Sequence, residues 1–76
     1  MTTKEKIIDI IKEMRPDIED IENSEFITDG LFDSFDIVNI VATLDKTFGI
    51  SIDGVKISPR YFNTVDDIIR LVEESK

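Results

Sequence analysis

The chain contains 76 residues, 41% of them hydrophobic, and its 17 acidic and 9 basic side chains give a net charge of −8. That length corresponds to one small domain, residues 1–76, and the absence of cysteine and histidine excludes disulfides, thiolate metal sites and catalysis by Ser-His-Asp or Cys-His groups. The negative charge disfavours nucleic acid and anionic membranes as partners, and no apolar run approaches the roughly 18 residues of a membrane span, so we expect a soluble, cytoplasmic monomer.

The first predicted element is an amphipathic helix near the N-terminus. Thr3 is the expected N-cap, and the helix should end near Arg15 because Pro16 disfavours α geometry in the residue before it. The apolar residues recur at helical spacing and form one stripe: Ile7, Ile8, Ile10, Ile11 and Met14.

Residues 17–33 show no sustained periodicity and predict a long connection with a turn at Asp29-Gly30. A long connection inside a small domain indicates a functional loop, and its scattered apolar residues predict that it lies across the core: Ile18, Ile21, Phe26, Ile27, Leu31 and Phe32. From Pro16 to Asp45 there are nine acids and no base. This charge run fits either a solvated acidic loop or a field that attracts basic partners.

The second predicted helix begins at Asp33-Ser34, where Asp33 is the cap, and ends near Gly49. Its core stripe consists of Ile37, Ile40, Val41, Leu44 and Phe48. A second apolar set lies to one side of that stripe, beside Asn39 and Lys46: Phe35, Val38 and Ala42. Either the preceding loop folds over this set or the set is an exposed patch that docks onto a partner, and we favour the patch.

Residues 50–58 carry the hairpin signal Asp53-Gly54 between apolar residues. An isolated hairpin is marginal in water, so we expect an irregular loop that turns its apolar residues inward, with a hairpin as the alternative. Ser58-Pro59 predicts a short helical turn.

Thr64 is the expected cap of the last helix, with Asp67 as the shorter analogue of a capping-box glutamate. The apolar stripe of this helix consists of Val65, Ile68, Ile69, Leu71 and Val72. These elements predict an all-α fold: a small four-helix bundle of three longer helices and one short one, with a long loop between the first two.

Enzyme motifs are absent from the sequence. The three glycines are too far apart for a phosphate-binding loop, residues 29–33 do not match a calcium loop, and Asp66-Asp67 is best read as a solvated helix start. One local candidate remains. Ser34 lies on the first turn of a helix, where unpaired N–H groups and the helix dipole favour a phosphate, although Asp33-Ser34 taken alone is an ordinary capping pair.

Residues 29–36 (Asp-Gly-Leu-Phe-Asp-Ser-Phe-Asp) and 44–50 (Leu-Asp-Lys-Thr-Phe-Gly-Ile) resemble the acyl carrier protein family, which includes peptidyl and D-alanyl carrier proteins. That family opens the second helix of a four-helix bundle with Asp-Ser-Leu. The helix order, the long first loop and the chain length agree with the family over nearly all 76 residues.

The resemblance implies that a phosphopantetheinyl transferase attaches 4′-phosphopantetheine from coenzyme A to Ser34, with Asp33 positioning the serine and the transferase's metal. The arm brings the thiol that the chain lacks and carries an acyl or aminoacyl group as a thioester, so the chain is not itself an enzyme. An acyl- or aminoacyl-loading ligase and downstream transferases or synthases with basic docking surfaces would read one face: Phe35, Asp36, Val38, Asn39, Ala42 and Asp45.

Three departures from the family pattern bear on the cargo. Phe35 replaces the common leucine, and Asn39 and Lys46 stand where fatty-acid-type carriers often have glutamates, which weakens the case for fatty acid synthesis over polyketide, nonribosomal peptide or D-alanylation pathways. Residues 60–64 look more like the segment before the last helix in D-alanyl carriers and related stand-alone carriers. The alternative from another class is an unmodified acidic helical adaptor that acts only by binding proteins.

Overall fold

The computed structural model describes residues 2–76, which form three α-helices and three short 3-10 turns without a strand in that range. Helix α1 spans Thr3–Met14, α2 spans Ser34–Phe48 and α3 spans Val65–Ser75. The 3-10 turns occupy Ile21–Asn23, Gly54–Lys56 and Pro59–Tyr61. The predicted all-helical bundle with a long first connection is confirmed, and the expected short helix is the 3-10 turn that begins at the proline.

Helix α1 begins one residue earlier than the sequence predicts. Thr2, not Thr3, is the N-cap: its hydroxyl accepts from the Glu5 N–H at 3.1 Å, and the Glu5 carboxylate reaches back to the Thr2 N–H, which completes a capping box. If Thr3 were the N-cap, Glu5 would lie two residues after it and not three, and the reciprocal hydrogen bond of a capping box would not form. The helix ends at Arg15 as expected, because Pro16 follows it.

The boundaries of α2 match the prediction at both ends. Asp33 is the N-cap in extended geometry, and Gly49 ends the helix in the left-handed region with φ 63° and ψ 40°. A residue with a Cβ atom is strained there, so glycine is the natural terminator. At α3, the Thr64 hydroxyl accepts from the Asp67 N–H at 3.1 Å, which confirms the predicted cap.

The core lies where α1 packs against α2 and α3, and the long connection closes it from one side. No charged or polar residue of the described part of the chain is buried. The apolar residues of the connection turn inward as predicted, with Phe26 fully buried and Ile18, Ile21 and Phe32 nearly so, while Ile27 and Leu31 are half-buried. Hydrophobic burial therefore anchors the segment that has no regular structure of its own.

Residues 50–58 form the expected irregular loop and not a hairpin, but only its first part turns inward, where Ile50 packs against the core. Ile52 is buried, but Val55 is 80% exposed and Ile57 is 37% exposed, which corrects the prediction that this loop turns its apolar residues inward. The reason is local: the Asp53 carboxylate accepts from the Val55 N–H at 3.1 Å and starts a 3-10 turn, which points Val55 to solvent. Across the described residues, no helix combines the length and apolar character required to span a membrane.

Candidate functional site

Ser34 is the first residue of α2 and is exposed to solvent. Within residues 2–76, no hydrogen bond involves its hydroxyl, and neither its N–H nor that of Phe35 has an acceptor. The hydroxyl is therefore accessible to a reactant. An anion attached to it would meet free N–H groups at the positive end of the helix dipole.

Asp33 fixes the geometry of this helix start. Its Oδ1 accepts from the Asp36 N–H at 2.9 Å, and Asp36 Oδ2 accepts from the Asp33 N–H at 3.1 Å, so the two residues form a capping box around Ser34. The predicted cap is confirmed. Asp33 is exposed, and its second oxygen has no hydrogen-bond partner in the described part of the chain, which leaves that oxygen available for a further ligand.

The chain reaches Asp33 through a tightly folded segment. The rings of Phe26 and Phe32 stack with centroids 4.3 Å apart and planes inclined by 12°. The Phe26 carbonyl accepts from the N–H groups of both Leu31 and Phe32, at 2.7 and 3.0 Å. Gly30, with φ 70°, makes the reversal between them. The last residues before the candidate site are thus fixed to the core.

Asn63, just before α3, holds the same segment from the other side. Its side-chain oxygen accepts from the N–H groups of Ile27 and Thr28 at 2.9 and 3.0 Å, and its backbone carbonyl accepts from Phe26 at 2.6 Å. Sequence reasoning missed this residue. An asparagine beside a helix cap is a weak signal, and nothing in the sequence pairs residue 63 with residues 26–28.

The second apolar set of α2 is exposed, as its helical position predicts. Phe35 is 80% and Val38 is 59% exposed, Ala42 is also exposed, and Ser34, Phe35 and Val38 line a shallow recess of about 180 Å³. The alternative in which the connection covers this set is wrong. Large apolar side chains left in water next to an exposed hydroxyl favour a docking surface, which remains a prediction.

The two acids predicted for partner contact are only partly available. Asp36 Oδ2 is bonded to Asp33 and, at 3.1 Å, to the Arg15 guanidinium, while Asp45 Oδ1 accepts from the Ile52 N–H at 3.0 Å. In the described residues, Asp36 Oδ1 and Asp45 Oδ2 have no hydrogen-bond partner.

The exposed positions of α2 carry one positive charge and no acid: Ser34, Phe35, Val38, Asn39, Ala42, Lys46 and Thr47. The acidic character of the region therefore lies in the preceding connection and not along the exposed helix face. Within residues 2–76, no three acidic side chains lie close enough together to hold a metal ion.

The amino-acid sequence of this chain is similar to those of several known carrier proteins. The chain is 31% identical over 75 residues to a D-alanyl carrier protein of Streptococcus uberis, covering 97% of this chain and 95% of that protein. It is 27% identical, with the same coverage, to D-alanyl carrier proteins of Streptococcus equi subsp. zooepidemicus and Streptococcus equi subsp. equi. No protein-family model and no solved structure matches the chain.

Proposed function

Because this chain belongs to the acyl carrier protein family and its relatives support a carrier role, we propose that it carries an acyl or aminoacyl group as a thioester on a 4′-phosphopantetheine arm attached to Ser34. The observation that carries the proposal is the exposed, unbonded Ser34 hydroxyl at the open N-terminus of α2. The alignment covers nearly all of both chains, so this helix start lies within the part shared with the named carriers.

The attachment step is a phosphoryl transfer. Ser34 Oγ forms the new bond to the pantetheine-bearing phosphorus of coenzyme A, the phosphoanhydride bond breaks, adenosine 3′,5′-bisphosphate leaves, and the hydroxyl proton passes to a base of the transferase. Asp33 contributes its free carboxylate oxygen toward the transferase's metal ion while its other oxygen keeps the helix capped. The chain thus presents a nucleophile, and the transferase performs the catalysis.

The residues around Ser34 fit a phosphodiester. The N–H groups of Ser34 and Phe35 are free to donate, and the helix dipole favours negative charge at this end. The arm supplies a terminal thiol, which a chain without cysteine does not have. Phe35 and Val38 offer apolar surface beside the attachment point. We propose no catalytic activity for the chain itself.

An aminoacyl group, with D-alanine as the first candidate, is the cargo that the relatives' names support. The proposed partners are the phosphopantetheinyl transferase, a loading ligase and downstream transferases. These would contact the exposed face of α2 and the unbonded oxygens of its two acids, through Phe35, Asp36, Val38, Asn39, Ala42 and Asp45.

Co-expression with a broad-specificity phosphopantetheinyl transferase, followed by intact-mass measurement, tests this function. The wild type should gain the mass of one phosphopantetheine and Ser34→Ala should gain none. Because Ser34 makes no internal hydrogen bond, Ser34→Ala should unfold in urea within about 0.5 kcal/mol of the wild type. Ser51→Ala, at another exposed serine, is the matched control and should be modified like the wild type.

A wild type that keeps its mass, while a known carrier is modified in the same cells, would refute the carrier function. The alternative of an unmodified acidic helical adaptor would then be favoured, since the exposed Phe35 and Val38 would still indicate protein binding.

A further inference from the structure

Arg15, at the end of α1, is the basic residue immediately before the acidic stretch of residues 16–45. Its Nε and Nη2 donate to the two oxygens of Asp17 at 3.0 and 2.9 Å. Its Nη1 donates to the backbone carbonyl of Leu31 and, at 3.1 Å, to Asp36 Oδ2. The guanidinium is half-buried, with 27% of the side chain exposed, and Asp36 is 19% exposed. One planar group therefore joins three separate points of the chain.

The acceptors of Arg15 bracket the candidate attachment site. Leu31 lies three residues before Ser34, and Asp36 lies two residues after it. The Asp36 oxygen that accepts from Arg15 also accepts from the Asp33 N–H, and this bond closes the capping box. Arg15 thus orients the Asp36 carboxylate, and that carboxylate in turn holds the start of α2 through its bond to Asp33. In the range that the structure describes, no other cation lies within ion-pair distance of Asp36.

We propose that Arg15 is a positioning residue for the modification of Ser34: it holds residues 31–36 in the geometry in which the transferase meets the hydroxyl. The inference rests on the proposed function. Without the guanidinium, the charges of Asp33 and Asp36 face each other across the capping box with no cation to offset them, and the Leu31 carbonyl loses its donor. The helix start then opens part of the time.

A helix start that opens should affect binding more than chemistry. The apparent KM of the transferase for the carrier rises in proportion as the competent fraction falls, while kcat for the bound, ordered carrier stays the same. Lysine at position 15 keeps the charge but not the planar fork that reaches several acceptors at once, so Arg15→Lys should restore only part of the wild-type KM.

The kinetic test follows modification of the purified apo protein by intact mass, at varied carrier concentration with coenzyme A in excess. Arg15→Gln should raise KM by about tenfold with kcat within about twofold. Lys12→Gln is the matched control, since Lys12 is exposed on α1, and in the described structure it forms no ion pair. It should behave like the wild type. In an Asp36→Ala background, Arg15→Gln should raise KM by clearly less than in the wild type, because the contact with the Asp36 carboxylate is already lost and only the contact with the Leu31 carbonyl remains to be removed.

Amide hydrogen exchange measured by NMR tests the same role without the transferase. In Arg15→Gln, the N–H of Asp36, which is bonded to Asp33, should exchange at least about tenfold faster, while that of Ile68 in α3 should stay at its wild-type rate.

A wild-type KM in Arg15→Gln, an equal effect in the Asp36→Ala background, or faster exchange throughout α3 would each overturn the positioning role. An unmodified wild type would instead refute the proposed function, and with it the role in modification. The exchange rates would still show whether Arg15 fixes this turn.

Discussion

Replacing Asn63 by alanine tests whether one side chain holds the long connection in place before α2. The asparagine side-chain oxygen accepts from the N–H groups of Ile27 and Thr28 at 2.9 and 3.0 Å. The backbone carbonyl of the same residue accepts from Phe26 and is retained in the variant. The substitution therefore removes two of three hydrogen bonds and leaves the third.

The expected cost follows from the surroundings of the two donors. The Thr28 N–H is exposed, so water replaces its lost acceptor and the net loss is at the low end of about 0.5–1.5 kcal/mol. The Ile27 N–H is partly buried, and leaving such a donor unpaired costs about 1–3 kcal/mol. We expect Asn63→Ala to lower the free energy of unfolding by about 1.5–3.5 kcal/mol, which for a chain of this size lowers Tm by roughly 6–28 °C.

Urea unfolding followed by far-UV circular dichroism measures this loss, provided that the m value is unchanged. Asn63→Asp keeps oxygen acceptors at the same place and should cost about 1 kcal/mol or less. Asn23→Ala is the control, since the Asn23 amide bonds only the Asp20 carboxylate on the exposed surface, and it should change stability by less than about 0.5 kcal/mol. If Asn63→Ala costs no more than Asn23→Ala, burial of the apolar side chains alone holds the connection.

Two further predictions concern stability. Leu44→Ala should lower the free energy of unfolding in urea by about 2–5 kcal/mol, because the side chain is fully buried. Val38→Arg should lower it by less than about 0.5 kcal/mol, because Val38 is exposed, yet should slow modification by the transferase. A loss of several kcal/mol for Val38→Arg would mean that this position is covered. The hydrogen bond from Arg15 lowers the pKa of Asp17, so its stabilisation is present above the ordinary carboxyl pKa and is lost as pH falls through the lower folded value. Stability should therefore decline as pH falls below the ordinary carboxyl pKa of about 4, and less steeply in Asp17→Asn; equal slopes in the two proteins would contradict this.

The helices could be predicted from the sequence because their signals are local. A cap, a terminator and a 3.6-residue apolar period all act within a few residues, so Asp33, Gly49 and Thr64 set boundaries that the structure confirms. The error at the start of α1 is of the same local kind. Thr2 and Thr3 are both acceptable caps, and only the reciprocal bond to Glu5 selects the first.

The candidate site was predicted in part for the same reason. Ser34 and Asp33 follow from a short motif at a helix start, and the exposure of Phe35 and Val38 follows from their angle around α2. The prediction that residues 50–58 turn inward is confirmed for Ile52 and wrong for Val55, because the turn that Asp53 starts directs Val55 to solvent despite its apolar character. Hydrophobicity alone does not fix the direction of a side chain where the backbone has no regular period.

The sequence by itself determined where each helix lies, which helix start bears the candidate serine and which family the chain resembles, since these depend on residues close together along the chain. The tertiary structure alone decided how the start of α2 is held, through Asn63 reaching residues 26–28 and Arg15 reaching Leu31 and Asp36. Such contacts join residues 16 to 37 positions apart. They form only after hydrophobic burial has brought separate segments together, so no short stretch of sequence encodes them.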